Sequence, residues 1–257
     1  MLSSGLDILD PINAGGGGTA MFMLSAKYFQ GKNNATPADG TAVGSAGNVP
    51  TDLYGVNTFS QATAANRPLF KTTEGFKTIQ CVDNTDNIAT INTLSNSATS
   101  ILYGFFGKIN SHNSGTASNN QLLFIQNTLG TGFRFAVSVN ETNIYFATNN
   151  NDVNSSGQNN LNITEQTDLK NTYMTLLCYQ NFIDNTKWIY VNNRLIGSTT
   201  TSFGAGIPAA NSISSTALGQ NTLSPPNHCK VAFMVKNFAS NPTTEDIRRI
   251  NNYLIHN

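Results

Sequence analysis

The sequence predicts an all-β fold, an antiparallel β-sandwich closed by one short C-terminal helix. Three observations predict it. From Pro68 onward, short apolar segments recur between clusters of Asn, Gly and Ser at the spacing of a sandwich or barrel. The stretch Lys187 to Gly197, KWIYVNNRLIG, puts Trp188 and Tyr190 on one side of an extended chain and Ile189 and Val191 on the other. It then reverses at Asn192-Asn193, two residues that tolerate positive φ, so a tight primed turn joins two antiparallel strands. Helical spacing of apolar residues is convincing only at the end, in Ile247, Ile250 and Leu254. A chain of 257 residues can bury a large core as one such domain.

Residues 1–20 read as an N-terminal arm with a glycine joint. Leu6, Ile8 and Leu9 form a small apolar cluster, Pro11 ends it, and the run Gly15 to Gly18 loses too much backbone entropy to sit inside an element. An edge strand followed by an ordinary loop fits equally well. Residues 21–257 then form the sandwich domain. The run Met21 to Phe29 is strand or short helix, which periodicity does not separate. Residues 31–68 are rich in turn chemistry (Pro37-Ala38-Asp39-Gly40, Val43-Gly44, Val49-Pro50), a long lead-in that must pack on the body or bind something.

Strands are expected near 69–71, 78–82, 88–91, 100–108, 121–126, 133–139, 143–147, 173–180, 187–191, 194–198, 215–218 and 229–238. Phe133 to Val137 and Ile144 to Phe146 flank Asn140-Glu141-Thr142 as a second hairpin. Asn149 to Asn160 reads as a mobile polar loop. A helix over 244–255 follows, with Thr243 as cap and Glu245 and Asp246 in the first turn, where the helix dipole favours them.

Charged residues are 11% of the chain, 14 basic against 14 acidic, so no net field exists to hold a polyanion or an anionic membrane. Nucleic acid is not an expected partner. No segment has the ~18 consecutive apolar residues of a membrane span, and MLSSGLDILDP has no basic n-region of a secretory signal. Cys81, Cys178 and Cys229 are odd in number and lack metal-ligand spacing; inert thiols are expected, with one disulfide as the alternative.

Four stretches together match the motifs of one known pattern. The lead-in from Tyr28 ends in Gln61-Ala62-Thr63-Ala64-Ala65-Asn66-Arg67-Pro68, similar to Q-A-T-x-x-x-R-P. Val82-Asp83-Asn84-Thr85-Asp86-Asn87-Ile88 is similar to F-D-G-x-D-D-x-L, with Asn84 and Asn87 departing from it. The Trp188 hairpin is similar to W-x-x-Y-V-N-G-x-x-x-G, with Asn193 for the last turn glycine. Ala217-Leu218-Gly219, Val231 to Val235 and the terminal helix complete the match, which spans residues 28 to 257. Together these stretches resemble the laminin-G-like form of the concanavalin A-like lectin/glucanase superfamily found in tailed-bacteriophage virion proteins.

The resemblance implies a jelly roll of the concanavalin A-like kind. It further implies a non-enzymatic phage virion structural protein, a capsid decoration or tail- or fibre-associated component, made in the host bacterial cytoplasm. Its expected partners are other virion proteins, reached through Leu6, Ile8 and Leu9 or the lead-in, with self-association also open. The alternative is a carbohydrate-binding module that contacts host-surface glycans. One sandwich hosts many functions, so the fold does not choose between them.

The chemistry visible in the sequence is sparse. Glucanases of that superfamily carry E-x-D-x-x-E or E-x-D-x-E, since glycoside hydrolysis needs an acid and a carboxylate flanking the bond. This chain has neither motif, so no catalytic residue and no cofactor are expected. Asp83 and Asp86 are weak candidates for calcium, and Asx-turn duty explains them more simply. His112, His228 and His256 lack metal spacing. Trp188 could stack on a sugar, but in an alternating sandwich strand core packing is the simpler expectation; Tyr54, Phe59 and Tyr103 raise the same question.

Overall fold

The computed structural model describes residues 19–26, 37–45, 59–82, 86, 88–90, 99–110, 121–127, 134–139, 143–149, 159–164, 171–200, 213–219, 227–238 and 242–256. Its elements are β1 (Thr19–Ser25), β2 (Phe59–Ser60), β3 (Leu69–Thr73), β4 (Phe76–Cys81), β5 (Ile88–Thr90), β6 (Ser100–Ile109), β7 (Gln121–Asn127), β8 (Arg134–Val139), β9 (Asn143–Asn149), β10 (Asn159–Thr164), β11 (Tyr173–Asn181), β12 (Lys187–Val191), β13 (Arg194–Thr199), β14 (Ile213–Leu218), β15 (Asn227–Lys236) and α1 (Thr244–His256). They form two antiparallel sheets. The larger has eight strands in the order β13-β12-β11-β6-β15-β4-β3, with β1 beside β15; the smaller has seven, β10-β9-β8-β7-β14-β5-β2. The expected all-β antiparallel sandwich with one terminal helix is the observed architecture.

Alternation along each strand of the larger sheet sends one set of side chains between the sheets and the other outward. Tyr103 and Phe105 of β6, Leu176 and Cys178 of β11, and Ile189 and Val191 of β12 face Val137, Val139, Ile144 and Phe146 of the smaller sheet. The outward set, including Leu102, Leu177, Tyr179, Trp188, Phe233 and Val235, is apolar as well and lies under Ile247, Ile250, Tyr253 and Leu254 of α1. Gly104 makes room there, because a Cβ would stand 2.1 Å from the Phe233 ring.

The helix starts as its sequence requires. The Asp246 amide donates to Thr243 Oγ1 (3.2 Å), and the Thr243 amide donates back to Asp246 Oδ2 (2.9 Å), a reciprocal capping box. Thr175 Oγ1 donates to Asn251 Oδ1 and the Tyr253 hydroxyl donates to Met23 Sδ, so polar contacts fix the helix on the sheet.

The two-residue hairpin at Asn192-Asn193 is present, with φ of +48° and +66°. An extra residue bulges β13 between the pairs Ile189–Gly197 and Tyr190–Leu195. β8 and β9 pair as the second expected hairpin. The lead-in, where described, packs on the body: Gly40 and Val43 amides donate to Phe70 and Pro68 carbonyls (both 2.7 Å), which covers the free edge of β3.

Two boundaries differ from the sequence reading. Thr19 and Ala20, assigned to the arm, are the first residues of β1 and pair with Lys236 and Val235. Asn159 and Asn160, read as loop, open β10; its register places Leu161 opposite Phe146 and Ile163 opposite Ile144. The alternation of Leu161 and Ile163 with Asn160 and Asn162 is a short strand signal, which the Asn-rich stretch before it masked. The arm proper, with Leu6, Ile8, Leu9 and Gly15 to Gly18, lies outside the described residues.

Candidate functional site

β3 and β4 are joined by a two-residue turn, Glu74-Gly75, in which both residues take positive φ (+53° and +80°). Gly75 is a natural occupant of that region. Glu74 is not, since a Cβ there approaches the following carbonyl. The turn projects Phe76 on the outward parity of β4, shared with Thr78. It also brings the Glu74 carboxylate over the outer face, where Lys108 Nζ donates to its Oε1 at 2.6 Å.

This end of the outer face adjoins the apolar cluster under α1, of which Phe106 is a member and against which Tyr173 packs. Here the outward positions are Tyr173 of β11, Phe106 and Lys108 of β6, and His228 and Lys230 of β15. Lys230 owes its position to a bulge, because the register with β6 shifts between Cys229 and Val231. Phe76 and Tyr173 meet edge to face with ring centroids 5.3 Å apart, and Phe106 stands 5.8 Å from Tyr173. Lys230 Nζ sits 4.5 Å from the Phe76 centroid and 5.1 Å from that of Phe106. It also donates to the Ile255 carbonyl (3.0 Å), closing the last turn of α1 as a cation at a helix C-terminus should.

The Phe76 ring is 36% exposed. The Tyr173 hydroxyl is shielded and has no hydrogen-bond partner among the described residues. Burial, then the nearby Glu74 charge, pushes the Tyr173 phenol above its usual range. His228 shares a hydrogen bond of 3.3 Å between Nδ1 and Thr78 Oγ1. Burial, then Lys108, pulls its ring below the ordinary histidine value. One surface therefore offers a partly exposed apolar ring and a carboxylate, with Lys108, His228, Lys230 and the Tyr173 hydroxyl buried beneath them.

A second notable group is inside the sandwich. Lys187 shares the parity of Ile189 and Val191, so its side chain enters the space between the sheets and is 0% exposed. Its Nζ donates to the Phe146 carbonyl of β9 (3.1 Å) and stands 4.4 Å from the Phe146 centroid, tying the two sheets. Burial pulls its amine down to about 7, against a smaller opposing effect of Cys178. Sealed from solvent, it is a structural amine.

The structure also places the residues singled out in the sequence. Trp188 is 7% exposed, stacked on Tyr179 at 4.8 Å and edge-on to Tyr190 at 4.9 Å, so it is core. Phe59 and Tyr103 are buried, and Tyr54 lies outside the described residues. Asp86 is buried and its Oδ2 accepts the Val82 amide (2.6 Å), the turn duty expected of it; Asp83 lies outside the described residues. Among the described residues no three His, Cys, Asp or Glu side chains gather as metal ligands. Glu245 is held by Arg248 and Arg249, whose bonds pull it down to about 2. Cys81, Cys178 and Cys229 are buried free thiols.

Phe76, Glu74 and Lys187 were missed by sequence reasoning. Extending β4's alternation back from Thr78 would have reached Phe76, and extending β12's from Ile189 would have reached Lys187.

No protein-family model and no curated protein matches the chain. Solved structures do. The ligand-binding domain of botulinum neurotoxin serotype D, determined with N-acetylneuraminic acid, matches at 16% identity and a TM-score of 0.59 over 91% of this chain and 50% of that one. The type G receptor-binding domain matches at 13% identity and a TM-score of 0.58 over 93% and 51%. A type C structure, reported for cell entry through two ganglioside molecules, matches at 13% and 0.58 over 92% and 51%. This chain spans about half the length of these structures. At such identities the likeness shows the fold alone, and these toxin domains carry no information on a phage origin.

Proposed function

We propose that the protein is a non-catalytic carbohydrate-binding module whose ligand lies on the outer face of the eight-stranded sheet, over Phe76 and Tyr173. The observation that carries this reading is the exposed Phe76 ring, set edge-on to Tyr173 beside the Glu74–Lys108 pair at 2.6 Å. An aromatic face next to charged hydrogen-bonding groups suits a sugar, which has apolar C–H faces and hydroxyl edges. One neighbour was determined with N-acetylneuraminic acid and another is reported for cell entry through two ganglioside molecules, which supports a glycan as the class of ligand but not a particular charge. They belong to chains twice as long, so the location of the site rests on the geometry here. The test is amide chemical-shift mapping during titration with glycosides, comparing the wild type with Phe76→Ala. Shifts clustered at residues 74–76, 108 and 173 that vanish in the variant support the site; shifts confined to the smaller sheet, or none, overturn it.

The sequence resemblance favours a second reading that is compatible with the first, in which the module is carried on a phage particle and its arm, with Leu6, Ile8 and Leu9, docks on a capsid or tail protein. Mass spectrometry of purified particles would find the chain at a fixed copy number; its absence from them would end this reading.

A further inference from the structure

We infer that the ligand of this site is an uncharged sugar and that Glu74 sets that preference; the inference rests on the carbohydrate-binding reading of the same surface. The cations of the patch are turned inward. The Lys108 side chain is 10% exposed and its amine is engaged by Glu74 at 2.6 Å, whereas the Glu74 side chain is 55% exposed. The Lys230 amine is occupied by the Ile255 carbonyl at 3.0 Å and lies under the Phe76 and Phe106 rings. What meets solvent beside the Phe76 ring is therefore a carboxylate, with the positive charge beneath it. On the adjoining strand Asp39, 54% exposed, is paired at 3.3 Å with Lys71, 31% exposed, so Glu74 is the carboxylate that decides the sign next to the ring.

An ionised carboxylate only accepts hydrogen bonds, and with Oε1 taken by Lys108 it keeps lone pairs for hydroxyl donors. Two adjacent hydroxyls of a sugar stacked on Phe76 satisfy that demand. A sugar acid would bring a like charge to the same place, and rejection by like charge is an efficient way to discriminate. The backbone adds an independent indication. Glu74 takes φ +53°, while the corresponding hairpin turn of β12–β13 is built from Asn192 and Asn193. A glutamate at this position works against backbone preference, and such strain concentrates where a side chain serves a site. Gly75 beside it has open space around its Cβ direction, so the turn leaves the carboxylate accessible.

The experiment uses sugar pairs that differ at C6, a hydroxymethyl group against a carboxylate: methyl β-glucoside against methyl β-glucuronide, and methyl β-galactoside against methyl β-galacturonide. Glu74→Gln isolates the part of the difference that is due to charge. Each is titrated by NMR into the full chain. The uncharged member of each pair should bind about tenfold more tightly, the size of one like-charge contact at an exposed surface. Glu74→Gln, which keeps the shape, should shrink that gap by strengthening uronide binding, while Phe76→Ala removes binding of both members; thermal melts confirm that each variant is folded. Equal or tighter binding of the uronides by the wild type, or a gap unchanged in Glu74→Gln, would overturn the preference while leaving the site standing. Binding of neither member would overturn the site together with it.

Discussion

The eight-stranded sheet has a hairpin on each flank, and the two solve the same geometric problem differently. β12–β13 turns at Asn192-Asn193 and β3–β4 at Glu74-Gly75, each with two positive φ values. Each carries an aromatic side chain on the outer face, but Trp188 is 7% exposed and Phe76 is 36% exposed. Each also has a lysine in its first strand: Lys187 points between the sheets, and Lys71 points outward to Asp39 at 3.3 Å. The Trp188 hairpin satisfies its local preferences and is absorbed into the core. The Phe76 hairpin violates one, at Glu74, and keeps its ring at the surface. The contrast separates a hairpin that stabilises the sandwich from one that equips it for contact.

The sharpest way to break the comparison is to truncate both rings. Trp188→Ala should cost about 3–5 kcal/mol, as removal of a large buried aromatic does, whereas Phe76→Ala should cost about 1 kcal/mol or less, as exposed substitutions do. Chemical denaturation of the two variants measures both, and equal losses would erase the distinction.

The lysines come next. The Lys187 amine is held at about 7 in the fold and returns to roughly 10.4 in the unfolded chain. Between those values the unfolded chain binds the extra proton, so this residue makes stability rise with pH. The burden of charging it is fully present below pH 7 and is relieved as pH climbs. The slope is at most about 1.4 kcal/mol per unit. Burial raises the Cys178 and Cys229 thiols, which opposes the trend once unfolded thiols ionise near pH 8.5. The comparison is therefore cleanest as wild type minus Lys187→Met from pH 7 to 8.5. The variant should gain least, relative to wild type, at the upper end; parallel curves would mean that the Lys187 amine is not held near neutrality.

The turns give the smallest effects. Asn193→Ala puts a Cβ without a compensating side-chain bond at φ +66° and should cost about 1 kcal/mol. At the other turn, Glu74→Gln removes the negative charge that faces Lys108 but keeps the strain, and Glu74→Asn removes both. Asn should therefore be the more stable of the two by about 0.5–1 kcal/mol. The reverse order would show that Glu74 is at ease in its turn and that the two hairpins differ less than their backbones suggest.

Much of this was legible in the chain. Alternation at Trp188, Ile189, Tyr190 and Val191 assigned their faces correctly, Asn192-Asn193 announced a primed turn, and Thr243 with Asp246 announced a helix start. Each is a local rule, satisfied by neighbours a few residues away. β10 was overlooked because its alternating Leu161 and Ile163 are only two apolar residues beside an Asn-rich stretch, and the Glu74-Gly75 turn was hidden because glutamate does not announce positive φ.

What the sequence by itself determined is the pattern of two-faced strands, their reversals and the capped amphipathic helix, all set by side-chain period and backbone sterics within short windows. The tertiary structure decided which outward residues would be covered. α1 packs over β6 and β11 and ends at Lys230; Trp188 became core by stacking on Tyr179 within the cluster that the helix closes, and Phe76 stayed at the surface, although both occupy outward positions of the same sheet. Lys187 was likewise placed inward by its parity, but its lowered affinity for a proton exists only because β9, some forty residues earlier in the chain, closes over it. Coverage depends on contacts between distant segments, and local periodicity holds no information on where a distant segment comes to rest.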